Sequence, residues 1–258
     1  MGPYPVFCCA DWSVLADDVA QLAGELVSVT LVTDPFGEVD PATLHAGFDR
    51  VVRFKDHYVA ELDRPPEQFV ATSHRRGARR ALRAVDVAVC EHPADHLEIW
   101  LELFANLSRR HAITGLRAYS RQAFEAQLRI PGLVMFQASV GDEVVGLDLW
   151  YQQGEVAYGH VAAFSDVGYQ LRASYATKWT MLRYFYERVR WVDLTGTAGA
   201  SDDHDSGLAQ FKAGWSTETK PVYLCGRILQ PARYEDLTRQ RGARETNYFP
   251  AYRQGELA

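Results

Sequence analysis

Apolar and polar residues alternate with changing periods along the first third of the chain, and these periods predict a series of short elements. Residues 4–9 predict a strand, and residues 26–32, rich in Val and Leu, predict a second strand. Over residues 11–26 the apolar positions recur every three or four residues, which predicts a helix. A proline at a helix start predicts a short helix over 41–48, and residues 51–62 predict a third strand. The β-α-β-α-β order is typical of half of an α/β unit.

The remaining two-thirds of the chain predicts a longer order, β-α-α-β-β-β-α-β-α-β. The predicted elements are a strand over 84–90, helices over 94–110 and 120–128, strands over 133–140, 143–151 and 155–163, a long helix after Gly168, a strand over 191–195, a short segment over 207–215 and a strand over 222–229. Ser120 is the expected N-cap of its helix. The long helix has an apolar stripe from Leu171 to Val189, with Arg188 and Arg190 expected near its C-terminus. A further helix is predicted after Pro231.

Composition narrows the class of protein. With 258 residues, 47% hydrophobic and 23% charged, the chain is long enough to bury a sizeable core. Its net charge of -6 does not favour nucleic acid or anionic membranes over the whole surface. No apolar run is long enough to span a bilayer, and no signal peptide is evident. The four cysteines lack metal-ligand spacing, so we expect a reduced, cytoplasmic protein without a metal site.

One segment departs from this acidic balance, because it carries five arginines within nine residues. They are Arg75, Arg76, Arg79, Arg80 and Arg83. On a helix, the spacing of i, i+4 and i+8 places them along one strongly cationic face. Arginine guanidinium groups suit phosphate oxygens, so an RNA acceptor stem, a nucleotide-linked substrate or a cofactor phosphate would fit. A solvated helix face, partly paired with carboxylates, explains the pattern equally well.

The stretch from Val192 to Trp215 holds the most unusual lysine of the chain. A short strand ends in Asp193-Leu194-Thr195-Gly196, a polar loop follows, and Lys212 then stands between Phe211 and Gly214. A solvated surface charge poorly explains a lysine among aromatic and small residues. The stretch lacks the Gly-Lys-Ser/Thr ending of a phosphate-binding loop, and the chain has no Gly-x-Ser-x-Gly nucleophile elbow. His92 and His96 have helical spacing without a third ligand nearby, which favours two surface histidines.

The element order from residue 84 onward resembles the GNAT acyltransferase fold. The motifs resemble its Fem-type branch, which includes peptidoglycan aminoacyltransferases that use aminoacyl-tRNA. These motifs are Tyr158-Gly159-His160, Gly168-Tyr169, Asp193-Leu194-Thr195-Gly196, Gly207-Leu208 and Phe211-Lys212-Ala213-Gly214-Trp215. The resemblance implies an α/β (α+β) fold, a mixed central sheet flanked by helices and preceded by a truncated half unit. We expect the half unit over 1–66, the complete GNAT-like domain over 67–230 and a C-terminal tail over 231–258.

The resemblance also implies where catalysis takes place. In this fold two central strands splay apart, and donor and acceptor meet in the gap. The alternation of a strand puts Val156, Tyr158, His160 and Ala162 on one face, and Tyr158 or His160 would contact the amine or protonate the leaving group. Backbone N–H groups of this strand would stabilise the oxyanion. Alternatively, Tyr158 and His160 only pack in a partly polar face of this strand.

Lys212 matches the lysine of the Fem-type Phe-Lys motif, which implies that it stabilises negative charge near the ester carbonyl. A structural lysine that caps its helix is the alternative. Asp193 would act as a base or orient the amine, or be a satisfied polar residue of the sheet. The expected donor-binding residues are Phe211, Gly168, Arg172, Thr195 and Gly196. The expected acceptor-binding residues are Asp148, Trp150, Lys55 and His57; an exposed polar strand face is the alternative for Lys55 and His57.

The loop before the long helix bears on the donor. GNAT enzymes that use acetyl-CoA usually have a glycine-rich loop whose amides bind the pyrophosphate. Here the loop has Gly168 as its one glycine, bulky Tyr169 and Leu171 follow it, and the carboxylate of Asp166 would repel a diphosphate. This loop favours an aminoacyl-tRNA donor, whose phosphates the arginine face would contact.

Three functions remain open on the sequence. The first is transfer of an aminoacyl group from tRNA to an amine of a small molecule or a glycan or peptide precursor. The second is acyl-CoA-dependent N-acetyl transfer, and the third is a non-catalytic binding module. For the two enzymes we expect a co-substrate, aminoacyl-tRNA or acyl-CoA, in place of a tightly bound cofactor. Their expected partners are a small-molecule amine and, in the first case, tRNA.

Overall fold

The computed structural model describes residues 6–37, 39–198, 205–243 and 246–256. The strands are β1 (Ser28–Val32), β2 (Arg50–Glu61), β3 (Asp86–Val89), β4 (Leu133–Val140), β5 (Glu143–Gln153), β6 (Val156–Phe164), β7 (Trp191–Asp193) and β8 (Glu218–Ile228). The helices are α1 (Leu15–Gln21), α2 (Pro41–Gly47), α3 (Pro66–Phe69), α4 (Thr72–Ala81), α5 (Leu97–His111), α6 (Arg121–Gln127), α7 (Asp166–Gln170), α8 (Ala173–Phe185), α9 (Gly207–Ala213) and α10 (Pro231–Gln240). The chain forms two compact units, a central unit of residues 58–196 and 203–219, and a terminal unit of residues 1–57, 197–202 and 220–258.

The central unit contains a mixed sheet. Its strands lie in the order β7-β6-β5-β4-β3, and the last residues of β2 pair with β7. All neighbouring pairs are antiparallel except β6 and β7, which are parallel. A parallel pair needs a crossover connection, and helices α7 and α8 provide it between these two strands. The expected mixed sheet flanked by helices is therefore confirmed.

Both faces of this sheet are covered by helices, which gives two cores. Neighbouring residues of a strand point to opposite faces, so Met135 and Phe136 belong to different cores. Phe136 packs with Phe185 of α8, whereas Met135 packs with Trp100 of α5 and Phe124 of α6. The long β4-β5-β6 meander is thereby held between α8 and the α5–α6 pair.

The terminal unit is built around the antiparallel pair β1 and β8, in which Ser28 lies opposite Ile228. Helices α1 and α2 bury Leu15 and Leu44 against this pair. Helix α2 begins as predicted at Pro41, since Asp40 Oδ1 accepts a hydrogen bond from the backbone N–H of Thr43 at 2.8 Å.

Most predicted elements are confirmed, including the Ser120 cap, whose Oγ accepts the backbone N–H of Ala123. The single long helix was wrong, because α7 and α8 are separate and Arg172 between them has a positive φ of 57°. Helix α8 ends at Phe185, and Glu187 follows with φ of 69°, so Arg188 and Arg190 lie beyond the helix. The strand predicted over residues 4–9 is an isolated bridge from Phe7, and residues 1–5 lie outside the described part.

Candidate active site

The parallel ladder between β6 and β7 is short. Their register covers Val156, Ala157 and Tyr158 of β6, while β6 itself continues to Phe164. Because β7 ends at Asp193, the rest of β6 has no ladder partner on that side within the described residues. Tyr158 lies opposite Asp193 in the last pair of this ladder, and we call the side of β6 beyond it that lacks a ladder partner the β6–β7 gap. The splayed strand pair that the sequence resemblance implied stays a prediction.

A β-bulge lies directly beyond Tyr158 in β6. Trp150 of β5 pairs with Gly159 and Leu149 pairs with Val161, so His160 is the extra residue of β6. A bulge shifts the alternation of the strand by one residue. The prediction that Val156, Tyr158, His160 and Ala162 share one face was therefore wrong for Ala162, which packs on the α8 side while Val161 packs on the α5 side.

His160 faces α6 and two tyrosine rings. Its Nε2 lies 2.9 Å from Oε1 of Gln127, and its ring centroid lies 5.8 Å from that of Tyr119 and 5.5 Å from that of Tyr151. Since Gln127 Oε1 can only accept, His160 donates through Nε2–H. Its Nδ1 is buried without a hydrogen-bond partner in the described residues. Burial lowers the pKa of His160 to about 4, so the ring is neutral at pH 7.

The predicted donor-side residues around Lys212 are brought together by the end of β7. Lys212 Nζ donates to Oγ1 of Thr195 at 2.6 Å and to the carbonyl oxygen of Gly196 at 2.5 Å. Asp193 is fully buried, and its Oδ1 accepts the backbone N–H of Thr195 at 2.7 Å. Tyr158 lies one strand away, opposite Asp193. Lys212 and Asp193 thus both bond to Thr195, and Tyr158 is the register partner of Asp193.

Lys212 lies on helix α9, and α9 packs against α4 through His74. His74 Nε2 lies 3.1 Å from the carbonyl oxygen of Phe211, and the His74 ring packs against Tyr175, Phe211 and Trp215. A Cβ on Gly214 would lie 2.2 Å from the His74 ring, so only glycine allows this approach. Burial lowers the pKa of His74. Sequence reasoning missed this residue, although it shares the inner face of its helix with Ala78 and Ala81.

Four of the five arginines lie on the outer face of α4, whereas Arg83 lies beyond its end at Ala81, so the predicted single helical face was wrong for Arg83. Arg76, Arg79, Arg80 and Arg83 are exposed, and Arg75 is half-buried and donates to Oγ1 of Thr72. None of the five forms an ion pair with any residue that the structure describes. Exposed, unpaired arginines fit both a phosphate-binding surface and a solvated helix face, so both interpretations stay open; only the partial pairing with carboxylates is not seen in the described part of the chain.

The predicted acceptor-side residues Asp148 and Trp150 lie elsewhere, beneath α8. Asp148 Oδ2 is 2.7 Å from Nζ of Lys178, and this Nζ lies 4.7 Å from the centre of the Trp150 ring. Both charged groups are largely buried, with side-chain exposures of 14% for Lys178 and 2% for Asp148. Lys178 could have been noticed in the sequence, because it interrupts the apolar stripe of its helix.

The loop between β6 and α8 uses its polar groups internally. Ser165 caps α7, since its Oγ accepts the backbone N–H of Gly168 at 3.2 Å. A Cβ on Gly168 would lie 2.3 Å from the carbonyl oxygen of Val145, so packing requires this glycine. Arg172 is exposed, with its guanidinium 6.0 Å from the centre of the Tyr175 ring.

Lys55 and His57 belong to the terminal unit and are each only 4% exposed. The alternative of an exposed polar strand face was therefore wrong for both. Lys55 Nζ donates to the carbonyl oxygen of Thr197 at 2.6 Å. In the described parts of the chain, no group of three or more metal-ligating side chains is close enough to hold an ion, and His96 contacts Gln137.

Comparison with known proteins agrees with this geometry. The model of the acetyltransferase (GNAT) domain matches residues 69–212, which include the β6–β7 gap and Lys212. The chain therefore belongs to the GNAT acetyltransferase-domain family, a family of acyltransferases. No curated protein matches it in sequence.

Solved structures share the fold at low sequence identity. FemX superposes with a TM-score of 0.65 at 15% identity, over 87% of this chain and 80% of FemX. The C-terminal domain of a putative lysylphosphatidylglycerol synthetase from Agrobacterium fabrum gives 0.61 at 13%, over 86% and 76%. L-PGS from Bacillus licheniformis gives 0.54 at 14%, over 73% and 65%. The predicted resemblance to Fem-type proteins is confirmed at the level of the fold. In the part of the chain that the structure describes, no helix has the length and apolar character needed to cross a membrane.

Proposed function

We propose that this protein transfers an aminoacyl group from aminoacyl-tRNA to the amine of a small molecule or of a glycan or peptide precursor. In this reaction the amine nitrogen attacks the ester carbonyl carbon. The new C–N bond forms as the ester C–O bond breaks, and the proton lost by the amine passes to the departing ribose hydroxyl. The reaction belongs to the acyl-transfer class of the family.

The observation that carries this proposal is the position of the arginine surface, defined as Arg75, Arg76, Arg79, Arg80 and Arg83. The first four of these cations lie on the outer face of α4 and Arg83 follows its end, while the inner face of α4 contacts α9 through His74 and the Phe211 carbonyl. The arginine surface and the helix that carries Lys212 thus lie on opposite sides of α4. A polyanionic donor with its acyl group at one end fits this arrangement.

The β6–β7 gap supplies groups suited to the acyl centre. Lys212 would stabilise the negative charge that develops on the carbonyl oxygen, together with backbone N–H groups of β6 beyond Tyr158. His160, neutral at pH 7, can accept a hydrogen bond from an amine through Nδ1. Tyr158 would protonate the leaving oxygen, because its strand position is opposite Asp193 and next to the gap.

The loop after β6 favours this donor over acyl-CoA. The backbone N–H groups of Gly168, Tyr169 and Leu171 are bonded to Ser165 Oγ, Ser165 O and Val167 O respectively. Those of Arg172 and Tyr175 are bonded to the carbonyl oxygens of Tyr169 and Arg172. These five amides are therefore committed within the protein, whereas a pyrophosphate needs several amides of such a loop directed at it.

The direct test is transfer of a radiolabelled amino acid from a charged tRNA pool to a panel of amines, in parallel with labelled acetyl-CoA. We expect product from the tRNA pool and its loss after ribonuclease treatment. Product that survives ribonuclease, or forms from acetyl-CoA alone, would overturn the tRNA donor in favour of acyl-CoA. Lys212→Ala should lower the rate by about 100- to 1000-fold, the loss found for one oxyanion-stabilising group.

The arginine surface is tested separately by tRNA binding. Replacing Arg76, Arg79 and Arg83 together with alanine should weaken binding and reduce the salt dependence of log K by about 2, since each phosphate contact contributes roughly 0.7–0.9. The lysine triple variant at the same positions keeps the charge and should retain most of the salt dependence. Arg129→Ala, at an exposed arginine outside this surface, is the matched control. An unchanged salt slope in the alanine variant would contradict the role of the surface.

A further inference from the structure

The turn after β7 contains a strained residue at the centre of the candidate site. Thr195 has φ of +66°, a left-handed conformation that is unfavourable for a β-branched side chain. Such strain costs about 1–3 kcal/mol and persists only where the surrounding contacts enforce it. A glycine at this position would adopt the same backbone without cost.

The contacts of Thr195 identify what enforces this conformation. Its backbone N–H is bonded to Asp193 Oδ1 at 2.7 Å, and its carbonyl oxygen accepts the backbone N–H of Tyr58 at 3.2 Å. A glycine would make both of these bonds. The Thr195 hydroxyl adds the bond that glycine lacks, because Oγ1 accepts from Lys212 Nζ at 2.6 Å.

We propose that Asp193 and Thr195 are positioning residues that hold the ammonium group of Lys212 at the mouth of the β6–β7 gap. Asp193 fixes the left-handed turn through the Thr195 amide. The turn presents two oxygens, Thr195 Oγ1 and the carbonyl of Gly196, to the same Nζ. This inference rests on the proposed function for the role of Lys212 in transfer, but the arrangement itself can be tested without turnover.

The first measurement is the rate at which Lys212 of the full-length folded protein reacts with acetic anhydride at fixed pH. The protein is digested after labelling, and mass spectrometry quantifies the acetylated peptide that contains Lys212. Thr195→Val removes the hydroxyl and keeps the branched shape, and Thr195→Gly also removes the strain. Both should raise the labelling rate about threefold or more, because the ammonium loses an acceptor. Thr195→Ser should label like the natural protein, and Thr177→Val, which removes a buried hydroxyl from α8, is the control. Equal rates in all variants would overturn the proposal.

Stability and turnover give the second measurement. Thr195→Gly should raise the melting temperature and yet lower kcat about 10- to 100-fold with little change in KM, since positioning affects the transition state. Thr195→Ser should restore kcat. A glycine variant that keeps full kcat would show that the hydroxyl positions nothing. If no tested donor is turned over, the proposed function fails, while the labelling rates still decide whether Thr195 holds Lys212.

Two substitutions distinguish a positioning role of Asp193 from the role of a catalytic base. Asn at this position keeps an oxygen that accepts the Thr195 amide, whereas Ala does not. We expect Asp193→Asn to retain most of the natural labelling rate and kcat, and Asp193→Ala to resemble Thr195→Val. Equal loss of kcat in both variants, with natural labelling in Asp193→Asn, would assign Asp193 to proton transfer and overturn its positioning role.

Discussion

The central sheet has two buried aspartates, Asp148 and Asp193, whose carboxylates have different kinds of partner. Asp148 is 2% exposed and pairs with the ammonium of Lys178, which ties α8 to β5. Asp193 is fully buried, and it bonds the backbone of Thr195, which shapes the turn that receives Lys212. The charge of Asp148 is matched by a counter-charge, while the oxygen of Asp193 is used to fix a backbone conformation. Burial of an acid in a sheet therefore does not by itself indicate its role; the partner does.

The largest expected effect is on the Asp148 side of this comparison. Asp148→Ala leaves a buried ammonium, which should lower the free energy of unfolding by about 3–5 kcal/mol. The double variant Asp148→Leu with Lys178→Met should recover most of this loss, because both charges are gone. Urea unfolding followed by circular dichroism measures both. A stable single variant would show that Asp148 does not tie α8 to the sheet, and the contrast with Asp193 would fail.

A smaller effect concerns His160, a buried polar group of β6 that contacts Gln127. Its pKa is 6.5 in the unfolded chain and about 4 in the folded protein. Between these values the unfolded chain binds the extra proton, so stability falls as pH drops from 6.5 to 4, by up to about 3 kcal/mol. His160→Gln should remove this component. Urea unfolding at pH 7 and pH 4.5 measures how the free energy of unfolding changes with pH in the natural protein and in His160→Gln. The same change in both proteins would contradict the burial of a neutral imidazole.

The smallest expected effect tests the surroundings of the Asp193 turn, because the substitution disturbs the helix that carries Lys212. Gly214→Ala brings a Cβ within 2.2 Å of the His74 ring, and the ring is confined by Tyr175 and Trp215. We expect a loss of about 1–3 kcal/mol, as for other overpacked sites. Gly207→Ala, where nothing lies within 4 Å of the new Cβ, is the matched control and should change stability by less than about 0.5 kcal/mol. Thermal unfolding of both variants measures these changes in stability. Equal losses of stability in the two variants would contradict a specific contact between Gly214 and His74.

The sequence allowed the element order, the meander and the basic helix to be predicted, because each has a strong local pattern. The Ser120 cap and the α2 start depend on neighbouring residues only, and both were confirmed. The long helix was wrong because the positive φ of Arg172 is not encoded by a glycine or proline. The predicted face of β6 failed for Ala162 because a bulge depends on the register with β5, which no single strand reveals.

For the candidate site, the motif around Lys212 was visible in the sequence, but its partners were not. Gly214 and Lys212 belong to one short motif, whereas His74 is separated from them by 137 residues or more in sequence, as its bond to Phe211 shows. Gln127 was missed for the same reason, and although Lys178 interrupts an apolar stripe, its partner Asp148 on β5 could not be inferred from that stripe. Contacts of this kind arise from tertiary packing, which residue spacing does not encode.

The contact between α4 and α9 has a consequence for substrate choice. Because the His74 contacts join these helices, they set the distance from the arginine surface to Lys212. In the proposed reaction, a donor gains affinity from its phosphates only if its acyl carbon lies at that distance from them. The protein would thus select donors by length, and a short aminoacyl ester without the nucleic acid would bind only through its acyl end.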